Sequence, residues 1–283
     1  MTPTLLVIGC GDLGGACATH FAARGWAVTG VRRNPFTLPG VNATTADITQ
    51  PDSLAPLRSI APEYVLMALT PGGFSDERYR TIYVDGLKNV LAALDATNLR
   101  RVLWVSSTSV FDQGGGEHLD ETSPATPRGF SGQRLLEAEQ VLAQSGLPHT
   151  IVRLGGIYGP GRDRLLRQLQ EGKRSPAEPV RTSNRIHRDD AVGILQFLLD
   201  AAAQSRALDA LYLGVDTEPT PIADVERWFA QYLGLDYEAM TIADGELRGG
   251  HKILSSARLQ RLGYEFLYPT YREGLPTLLM RLR

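Results

Sequence analysis

The sequence predicts an α/β protein built on a doubly wound parallel sheet, with a smaller C-terminal lobe. An apolar run, Leu5–Ile8, leads into a glycine-rich turn, and a small-residue helical pattern follows as far as Ala23. Further along the chain, apolar runs lie at 65–69, 102–105 and 150–154, and amphipathic helical stretches lie near 51–59, 75–96 and 131–145. This alternation is typical of a parallel sheet covered by helices.

The first turn carries the pattern of a nucleotide site. Its residues are Gly9, Cys10, Gly11, Asp12, Leu13 and Gly14. In a dinucleotide-binding unit, the first glycine makes the tight turn, the second lets the backbone approach the pyrophosphate, and the third lets the helix pack on the strand. A second strand at 26–31 closes the βαβ unit. The motif in this context predicts a Rossmann-type site with the phosphates at the helix N-terminus, and a purely structural glycine turn is the alternative.

The residues after the second strand favour NADP(H) over NAD(H). An NAD site expects a carboxylate about 20 residues after the glycines, whereas Arg32, Arg33 and Asn34 occupy that stretch here. Two guanidinium groups can bind a 2′-phosphate through paired hydrogen bonds. We therefore expect NADP as the cofactor, with NAD as the weaker candidate. A solvated basic turn before Pro35 is the alternative.

Asp47 and Ile48 follow a short extended stretch at 42–46 and precede a helix that begins at Pro51. This order places both residues at the carboxyl edge of the sheet, where the adenine of a dinucleotide would lie. They are therefore candidate cofactor-binding residues. A simple turn role for the Asp47 carboxylate is equally compatible with the pattern.

The composition excludes several classes of protein. The 283 residues are 43% hydrophobic and 21% charged, as in ordinary soluble globular proteins. The formal net charge of -2 argues against general binding to nucleic acid or to an anionic membrane. The first residues lack the basic region of a signal peptide, and no apolar run reaches membrane-spanning length.

Cys10 and Cys17 are expected to be free thiols. Seven residues of helix separate them by about 10 Å, which exceeds the reach of a disulfide. Free thiols are typical of the reducing cytoplasm, where we expect this protein to be located. The histidines show no metal-ligand spacing, so no metal site is predicted. They are His20, His118, His149, His187 and His251.

The strand and helix pattern loosens after Gly155 into loops rich in Gly and Pro, then returns to a helix at 190–203 and a strand at 209–213. The late helix and strand are expected to rejoin the sheet. We therefore expect a Rossmann domain at 1–155 with a returning segment at 186–215, and a smaller substrate lobe at 156–185 and 216–283.

Four further segments follow the glycine turn in a characteristic order. They are Ala68-Leu69-Thr70, Val105–Phe111, Arg153–Arg162 and Asn184–Asp190. Over most of the chain, these segments together resemble the extended short-chain dehydrogenase/reductase superfamily, in its NAD(P)-dependent epimerase/dehydratase family. The resemblance implies that Ala68, Leu69 and Thr70 lie beside the cofactor. It also suggests a homodimer formed through the helices near 75–96 and 131–145.

The family's catalytic motif is altered in this sequence. Members use Ser, Tyr and Lys, with the last two spaced Tyr-x-x-x-Lys on the helix after the fifth strand. Alignment puts Phe130 at the Tyr position, Arg134 at the Lys position and Ser107 at the Ser position. Residues at i and i+4 share a helix face, so the Lys can bind the ribose and lower the pKa of the Tyr. A phenyl ring carries no titratable proton, so the chain resembles atypical members that lack the Tyr, while Arg134 can still bind the ribose.

Any proton donor would therefore have to be another group. The candidates are Tyr158, Asp112, Ser131 and His187. Packing explains Tyr158 equally well, a turn explains Asp112, and a loop position ahead of a helix explains His187. Ser107 could either orient a substrate oxygen or end its strand. The predicted catalytic positions are Ser107, Phe130, Arg134 and Tyr158.

Arginines are concentrated in the expected substrate lobe. They are Arg162, Arg164, Arg167, Arg174, Arg181 and Arg185. Such a cluster suits a phosphorylated ligand such as a nucleotide sugar, although solvated positions on a helix at 162–171 explain the first three equally well. Arg181 and Arg185 flank a turn. The predicted substrate-binding residues are Arg181, Arg185 and His187.

Two functional hypotheses follow. The first is an enzyme that moves a hydride between NADP(H) and a carbonyl or hydroxyl carbon of a small anionic substrate. The second is a catalytically inactive NADP(H) sensor or regulator, in which the loss of the Tyr has no cost. Turnover of the cofactor in the presence of a substrate would discriminate between them.

Overall fold

The computed structural model describes residues 2–243 and 250–279. The strands are β1 (Thr4–Ile8), β2 (Ala27–Arg32), β3 (Val41–Thr45), β4 (Tyr64–Met67), β5 (Arg101–Ser107), β6 (Glu117–Leu119), β7 (His149–Leu154), β8 (Gly156–Tyr158), β9 (Lys173–Arg174), β10 (Thr182–Ser183), β11 (Arg185–His187), β12 (Leu211–Gly214), β13 (Thr220–Pro221), β14 (Thr241–Ile242) and β15 (Lys252–Leu254).

The α-helices are α1 (Asp12–Ala23), α2 (Asp76–Tyr79), α3 (Gly86–Ala93), α4 (Phe130–Gln144), α5 (Arg164–Gln170), α6 (Arg188–Ala203), α7 (Ile222–Tyr232), α8 (Ala257–Leu262) and α9 (Tyr271–Gly274). A π-helical turn spans Arg80–Asp85, and 3-10 helices span Pro51–Ser59, Thr108–Val110 and Leu275–Leu279.

A seven-stranded sheet has the order β12-β7-β5-β4-β1-β2-β3. The strands from β3 to β5 pair in parallel, and Leu6 of β1 lies opposite Thr29 on one side and Val65 on the other. The chain reverses its direction of winding between β1 and β4, which is where doubly wound sheets bind ligands. The predicted α/β class and Rossmann-type sheet are confirmed.

Two stretches expected to be helical are less regular than predicted. Pro51–Ser59 is a 3-10 helix with Pro56 inside it, because proline lacks the N–H and the space that an α-helical interior requires. The stretch near 75–96 is divided between α2, the π-helical turn and α3. Periodicity alone does not reveal such a turn, since both helix types expose one polar face.

The chain divides into two compact units. The first unit comprises Met1–Val110, Pro127–Arg153 and Val192–Tyr212. Its sheet strands are buried, and Leu6, Leu66 and Trp104 have no exposed surface. The Glu139 carboxylate of α4 lies in this core, where it accepts hydrogen bonds from Ser106 at 2.6 Å and from Arg153 at 2.6 to 3.2 Å.

The second unit comprises Phe111–Thr126, Leu154–Ala191 and Leu213–Arg283. Its core is an apolar cluster formed mainly by α5, α7 and the segment from Tyr271 to Leu278. The segment 111–126, which the sequence analysis placed with the Rossmann domain, groups with this unit. The reason is that β6 pairs with β15, and Gly116 donates a hydrogen bond to the His251 carbonyl.

Cys10 and Cys17 are buried free thiols, as predicted. Within residues 2–243 and 250–279, no helix combines the length and apolar character needed to cross a membrane. The same residues contain no group of three or more His, Cys, Asp or Glu side chains placed to bind a metal ion.

Candidate functional site

The glycine turn has the geometry that the motif requires. Gly9 has a φ of 92°, and a Cβ added there would lie 2.4 Å from the carbonyl oxygen of Ala68. A Cβ on Gly14 would lie 2.3 Å from the carbonyl oxygen of Gly9. Both glycines are therefore required by the backbone itself, Gly9 for the turn and Gly14 for the packing of α1 on β1.

Gly11 differs from its two neighbours in the motif. A Cβ added to Gly11 would meet no atom within 4 Å. The space next to it belongs to a cavity of about 320 Å³ at the carboxyl ends of β1, β2 and β4. Because Gly11 directly precedes α1, the cavity opens onto backbone N–H groups at a helix N-terminus, which favour an anionic group. The turn therefore leaves room for a pyrophosphate.

Most of the predicted cofactor-binding residues line this cavity. They are Gly9, Gly11, Arg32, Arg33, Asp47, Ile48, Ala68, Leu69 and Thr70. The sequence did not assign the other lining residues, which include Asn34, Pro71, Gly72 and Ile82. Asn34, Pro71 and Gly72 follow predicted positions in the sequence, which was the available signal for them. Ile82 lies in the π-helical turn, which places it at the cavity.

Two exposed arginines stand at one end of the cavity. Arg32 ends β2 and its guanidinium lies 5.6 Å from the ring centroid of Phe36, while Arg33 begins the following loop. Asn34 lines the same end. The guanidinium groups at this point can bind a phosphate on the ribose. A carboxylate at the same point would instead bind the ribose hydroxyls.

Asp47 lines the cavity, but its carboxylate is engaged in its own turn. Oδ1 accepts hydrogen bonds from the Thr49 backbone N–H at 3.0 Å and from the Thr49 hydroxyl at 2.8 Å. The neighbouring Ile48 is buried and packs against Gly86, while its carbonyl accepts a hydrogen bond from Asn89. Asp47 therefore shapes the adenine end of the cavity mainly through the turn it stabilises.

Several predicted cofactor residues do not line the cavity. Cys10 is buried against Gly30, and burial raises the pKa of its thiol to about 11. Leu13 and Gly14 are buried on the side of α1 that packs on the sheet. Asp12 is exposed in the first turn of α1. The side chains of Cys10 and Leu13 are therefore buried away from the cavity, and binding of the cofactor by these four residues through the turn stays a prediction.

The expected catalytic region lies at the ends of β5 and α4. Ser107 is the last residue of β5, is half-buried, and its hydroxyl accepts a hydrogen bond from the Ser109 N–H at 3.2 Å. Phe130 begins α4 and packs on Phe74 and Tyr79, with ring centroids 4.8 Å and 5.5 Å away. The position that would hold a catalytic tyrosine is therefore part of an aromatic cluster.

Arg134 donates hydrogen bonds to two carboxylates. Its Nε and Nη2 atoms donate to Asp76 at 2.7 Å and 3.0 Å, and its Nη1 atom donates to Glu137 at 2.7 Å. These hydrogen bonds raise the pKa of the guanidinium and lower the pKa of the Asp76 carboxyl. Arg134 does not line the cavity. Two carboxylates occupy the guanidinium, and the predicted contact with the ribose stays a prediction.

A second cavity, of about 520 Å³, lies within the second unit. Its polar lining consists of Tyr158, Arg162, Arg164, Gln168, Ser175, Arg181, Ser183, Arg185 and Glu226. Of the arginines noted in the sequence, Arg167 instead pairs with Asp163, and Arg174 lies over the ring of Tyr237. Among the described residues of this lining, four arginines and one carboxylate give an excess of positive charge.

Arg185 and Tyr158 belong to the buried part of this lining. Arg185 is 8% exposed, and its guanidinium lies 5.3 Å from the ring centroid of Tyr271 and 6.0 Å from that of Tyr158. The Tyr158 hydroxyl lies against Gly274, where an added Cβ would be 2.0 Å away. Burial strongly raises the pKa of Tyr158. A tyrosine in this position packs and stays protonated.

His187 does not contact the second cavity, and the prediction that it binds substrate is wrong. It is fully buried. Its Nδ1 accepts a hydrogen bond from the Asp189 N–H at 3.1 Å, so its Nε2 carries the proton shared with Thr277 at 3.0 Å. Burial lowers the pKa of the ring, which keeps it neutral. The two ring nitrogens therefore link the Asp189 backbone, in the first turn of α6, to the side chain of Thr277.

A family model described as NAD(P)H-binding matches residues 9–195. The chain belongs to this NAD(P)H-binding family. The match includes the glycine turn, the cavity of the first unit and α4, so binding of a nicotinamide dinucleotide is a property of the fold that this family shares.

Two related proteins match most of this chain. Protein YeeZ of Escherichia coli (strain K12) is 27% identical over 278 residues, 93% of this chain and 95% of its own. A 3-diazoavenalumate denitrifying reductase of a Streptomyces species is 29% identical over 244 residues, 77% of this chain and 78% of its own.

A solved structure from Methylobacillus flagellatus, assigned to the NAD-dependent epimerases/dehydratases, is 38% identical to this chain. Its TM-score is 0.86, and the match covers 100% of both chains. Epimerases and short-chain dehydrogenase/reductase proteins of lower identity share the fold. The resemblance to the NAD(P)-dependent epimerase/dehydratase family is therefore confirmed.

Proposed function

We propose that this protein is an NADP(H)-dependent oxidoreductase that transfers a hydride between the cofactor and a carbonyl or hydroxyl carbon of a small anionic substrate. The observation that carries the proposal is the cavity of the first unit, which is open at Gly11 and ends at Arg32 and Arg33. The related Streptomyces reductase supports an oxidoreductase rather than a cofactor sensor.

The fit of the cofactor rests on the backbone of the turn. Gly9 and Gly14 leave no space for a side chain, whereas Gly11 faces open space at the start of α1. The Gly11 turn would hold the pyrophosphate, and Ala68, Leu69 and Thr70 would line the path beyond it. When bound, the cofactor supplies or accepts the hydride.

The preference for NADP(H) rests on Arg32 and Arg33. Each guanidinium can donate two parallel hydrogen bonds to a phosphate. The Asp47 carboxylate already accepts two hydrogen bonds within its own turn. It is therefore poorly placed to replace the carboxylate that binds the ribose hydroxyls in an NAD site.

Proton transfer cannot follow the family's usual route. Phe130 has no proton to donate, and Arg134 is held by Asp76 and Glu137. Ser107, half-buried at the end of β5, would orient the substrate oxygen through its hydroxyl hydrogen, because that hydroxyl already accepts the Ser109 N–H. The proton itself would then come from solvent, as a serine hydroxyl is too weak an acid at neutral pH.

The second unit supplies the proposed substrate site. Among the described residues, its cavity is lined by Arg162, Arg164, Arg181 and Arg185 and by one carboxylate, Glu226. An excess of guanidinium groups favours a ligand with a phosphate or carboxylate group. A nucleotide sugar is one candidate of this class.

The proposal can be tested by turnover. Purified protein would be mixed with NADPH and a panel of carbonyl compounds that carry a carboxylate or a phosphate, and oxidation of NADPH would be followed by absorbance. We expect substrate-dependent oxidation for at least one compound. Binding of NADPH without oxidation by any of them would instead support the sensor.

The variant Phe130→Tyr tests the missing proton donor in the same assay. The alignment puts this position at the family's catalytic tyrosine, so a phenol here would supply an acid, and we expect faster turnover of the active compound. Phe130→Leu is the matched control, because it changes the aromatic cluster without adding a proton. Equal rates for the two variants would contradict the alignment of Phe130 with the catalytic tyrosine.

A further inference from the structure

The cavity of the second unit contains a buried cation whose hydrogen-bonding capacity is not used. Arg185 lies on β11, is 8% exposed and lines the cavity. Its Nη1 atom has no hydrogen-bond partner among residues 2–243 and 250–279. Two tyrosine rings contact the guanidinium but accept no conventional hydrogen bond from it. A buried donor without an acceptor costs free energy, which a ligand oxygen in the cavity would recover.

A buried carboxylate belongs to the residue that is hydrogen-bonded to the Arg185 backbone. Asp216 is 2% exposed, and its backbone N–H donates a hydrogen bond to the Arg185 carbonyl at 2.6 Å. Its Oδ1 atom accepts the Glu218 N–H at 3.3 Å, whereas Oδ2 has no partner within the described parts of the chain. Burial raises the pKa of Asp216 to about 7, and the charge of Arg185 opposes that rise.

The carboxylate that lines the cavity among the described residues, Glu226, is committed elsewhere. It accepts hydrogen bonds from Gln168 at 3.0 Å and from the Ser175 N–H and hydroxyl, each at 2.7 Å. These donors fix Glu226 against the loop that follows β9. Asp216 Oδ2 has no such donor within the described parts of the chain, and its charge acts on Arg185, so Asp216 is the carboxylate that would oppose an incoming anion.

We infer that Arg185 binds one oxyanion group of the ligand in this cavity, a carboxylate or phosphate oxygen, and that Asp216 takes up a proton from solvent as this group binds. The role of that ligand as substrate rests on the proposed function. A charged Asp216 would repel an anion bound to Arg185, so neutralising Asp216 favours binding of the ligand. The binding of the anion and the uptake of the proton are thus linked.

The electrostatic surroundings of this pair include further groups from several elements. Asp216 is affected by Arg185, Glu218 and Asp190, and Arg185 is affected by Asp216, Glu226, Tyr158 and Tyr271. Asp190 accepts hydrogen bonds from Tyr264 and from the backbone N–H groups of Leu267 and Tyr268, so its charge is balanced locally. Within the described residues, Asp216 has a single backbone donor, the Glu218 N–H at 3.3 Å.

Equilibrium dialysis with radiolabelled sulfate tests the inference. Sulfate keeps its charge between about pH 6 and about pH 8, so any change in affinity reports on the protein. Saturating NADP⁺ would mask the anion site of the first unit. As an independent control, the variant Arg32→Gln would remove one positive charge from that site. We expect a sulfate site whose affinity falls about tenfold from about pH 6 to about pH 8.

Three variants assign the effect. Arg185→Gln should abolish the site, whereas Arg167→Gln, which changes an exposed arginine that pairs with Asp163 and does not line the cavity, should retain it. Asp216→Asn should retain binding and remove its pH dependence. Sulfate binding that survives in Arg185→Gln would overturn the inference, and so would an unchanged pH dependence in Asp216→Asn. The pH dependence of Asp216→Asn tests the inference even if Arg185→Gln does not fold.

The result is independent of hydride transfer, because sulfate binding is measured without turnover. Loss of NADPH binding or of NADPH oxidation would count against the proposed function alone. Loss of the sulfate site with normal NADPH binding would count against the role of Arg185 alone.

Discussion

Arg134 and Asp76 form a two-point ion pair between α4 and α2, with donor to acceptor distances of 2.7 Å and 3.0 Å. The sequence predicts that Arg134 stands at the position of the lysine that binds the cofactor ribose in typical members of the family. Its side chain joins two helices of the first unit, and Glu137 accepts a hydrogen bond from its remaining terminal nitrogen. The partners of Arg134 in this structure are therefore two carboxylates.

We predict that Arg134→Gln changes the NADPH dissociation constant by less than about twofold. The guanidinium contacts Asp76 and Glu137 and does not line the cofactor cavity. Isothermal titration calorimetry would measure the constant. Arg33→Gln is the matched control, because Arg33 is an exposed arginine that lines the cavity. A tenfold weaker Arg134→Gln complex would show that the arginine leaves Asp76 to bind the ribose.

Substitution of Gly14 and of Gly11 should have opposite effects on stability and on cofactor binding. Gly14→Ala would place a methyl group 2.3 Å from a backbone oxygen, so it should lower the free energy of unfolding by about 1–3 kcal/mol. Gly11→Ala meets no atom within 4 Å and should leave that free energy within about 0.5 kcal/mol of the unsubstituted protein.

Gly11→Ala should nevertheless weaken NADPH binding by about tenfold or more, because its methyl group enters the space proposed for the pyrophosphate. Urea unfolding and calorimetric titration of the two variants would separate the effects. Normal NADPH affinity in Gly11→Ala would contradict the placement of the pyrophosphate at this turn.

These glycines show what the sequence could predict. A motif such as Gly9 to Gly14 constrains local backbone, and each glycine acts within a few residues of itself or on the neighbouring strand. The same holds for Arg32 and Arg33, since the end of β2 is fixed by its pairing with β1. Local chemistry and the order of strands were sufficient to place the cofactor cavity.

The contacts that the sequence did not predict involve partners far away in sequence. Arg134 meets Asp76, 58 positions away, and His187 meets Thr277, 90 positions away. Nothing in the helix pattern around Arg134, or in the turn that contains His187, indicates these contacts. Side-chain roles in the second unit likewise depend on which tyrosine rings cover Arg185, a matter of packing rather than of periodicity.

A buried ion pair should make a large contribution to the stability of the first unit. Arg153 and Glu139 are 5% and 4% exposed, and the carboxylate also accepts a hydrogen bond from Ser106. Arg153→Met leaves a buried carboxylate without its cation, so we expect a loss of about 3–5 kcal/mol in the free energy of unfolding.

The double variant Arg153→Met with Glu139→Leu should recover much of that loss, because it removes the unpaired charge as well. Urea unfolding of the two single variants and the double variant would complete the cycle. Additive losses would show that the two side chains contribute independently and that the pair itself is not stabilising.

Asp216 should make stability depend on pH. Burial raises the pKa of Asp216 to about 7, so an unfolded chain releases this proton at a lower pH than the folded protein does. The contribution of Asp216 to stability is therefore fully present below about pH 4 and is lost as the pH rises through about 7.

We predict that Asp216→Asn is increasingly more stable than the unsubstituted protein from about pH 5 to about pH 8. The difference between the two pKa values corresponds to up to about 4 kcal/mol at the upper end. Urea unfolding at a series of pH values would measure it. A constant difference across this range would show that Asp216 titrates normally in the folded protein.

The central claim is that the first unit binds NADP(H) through the Gly11 turn and the arginine pair. Calorimetric titration of NADPH and NADH into the purified protein, and into the variant with both Arg32→Gln and Arg33→Gln, tests it most directly. We predict that the protein binds NADPH more tightly than NADH. The double variant should lose this preference while it retains its affinity for NADH. Equal affinities for the two cofactors in the unsubstituted protein, or binding of neither, would contradict it.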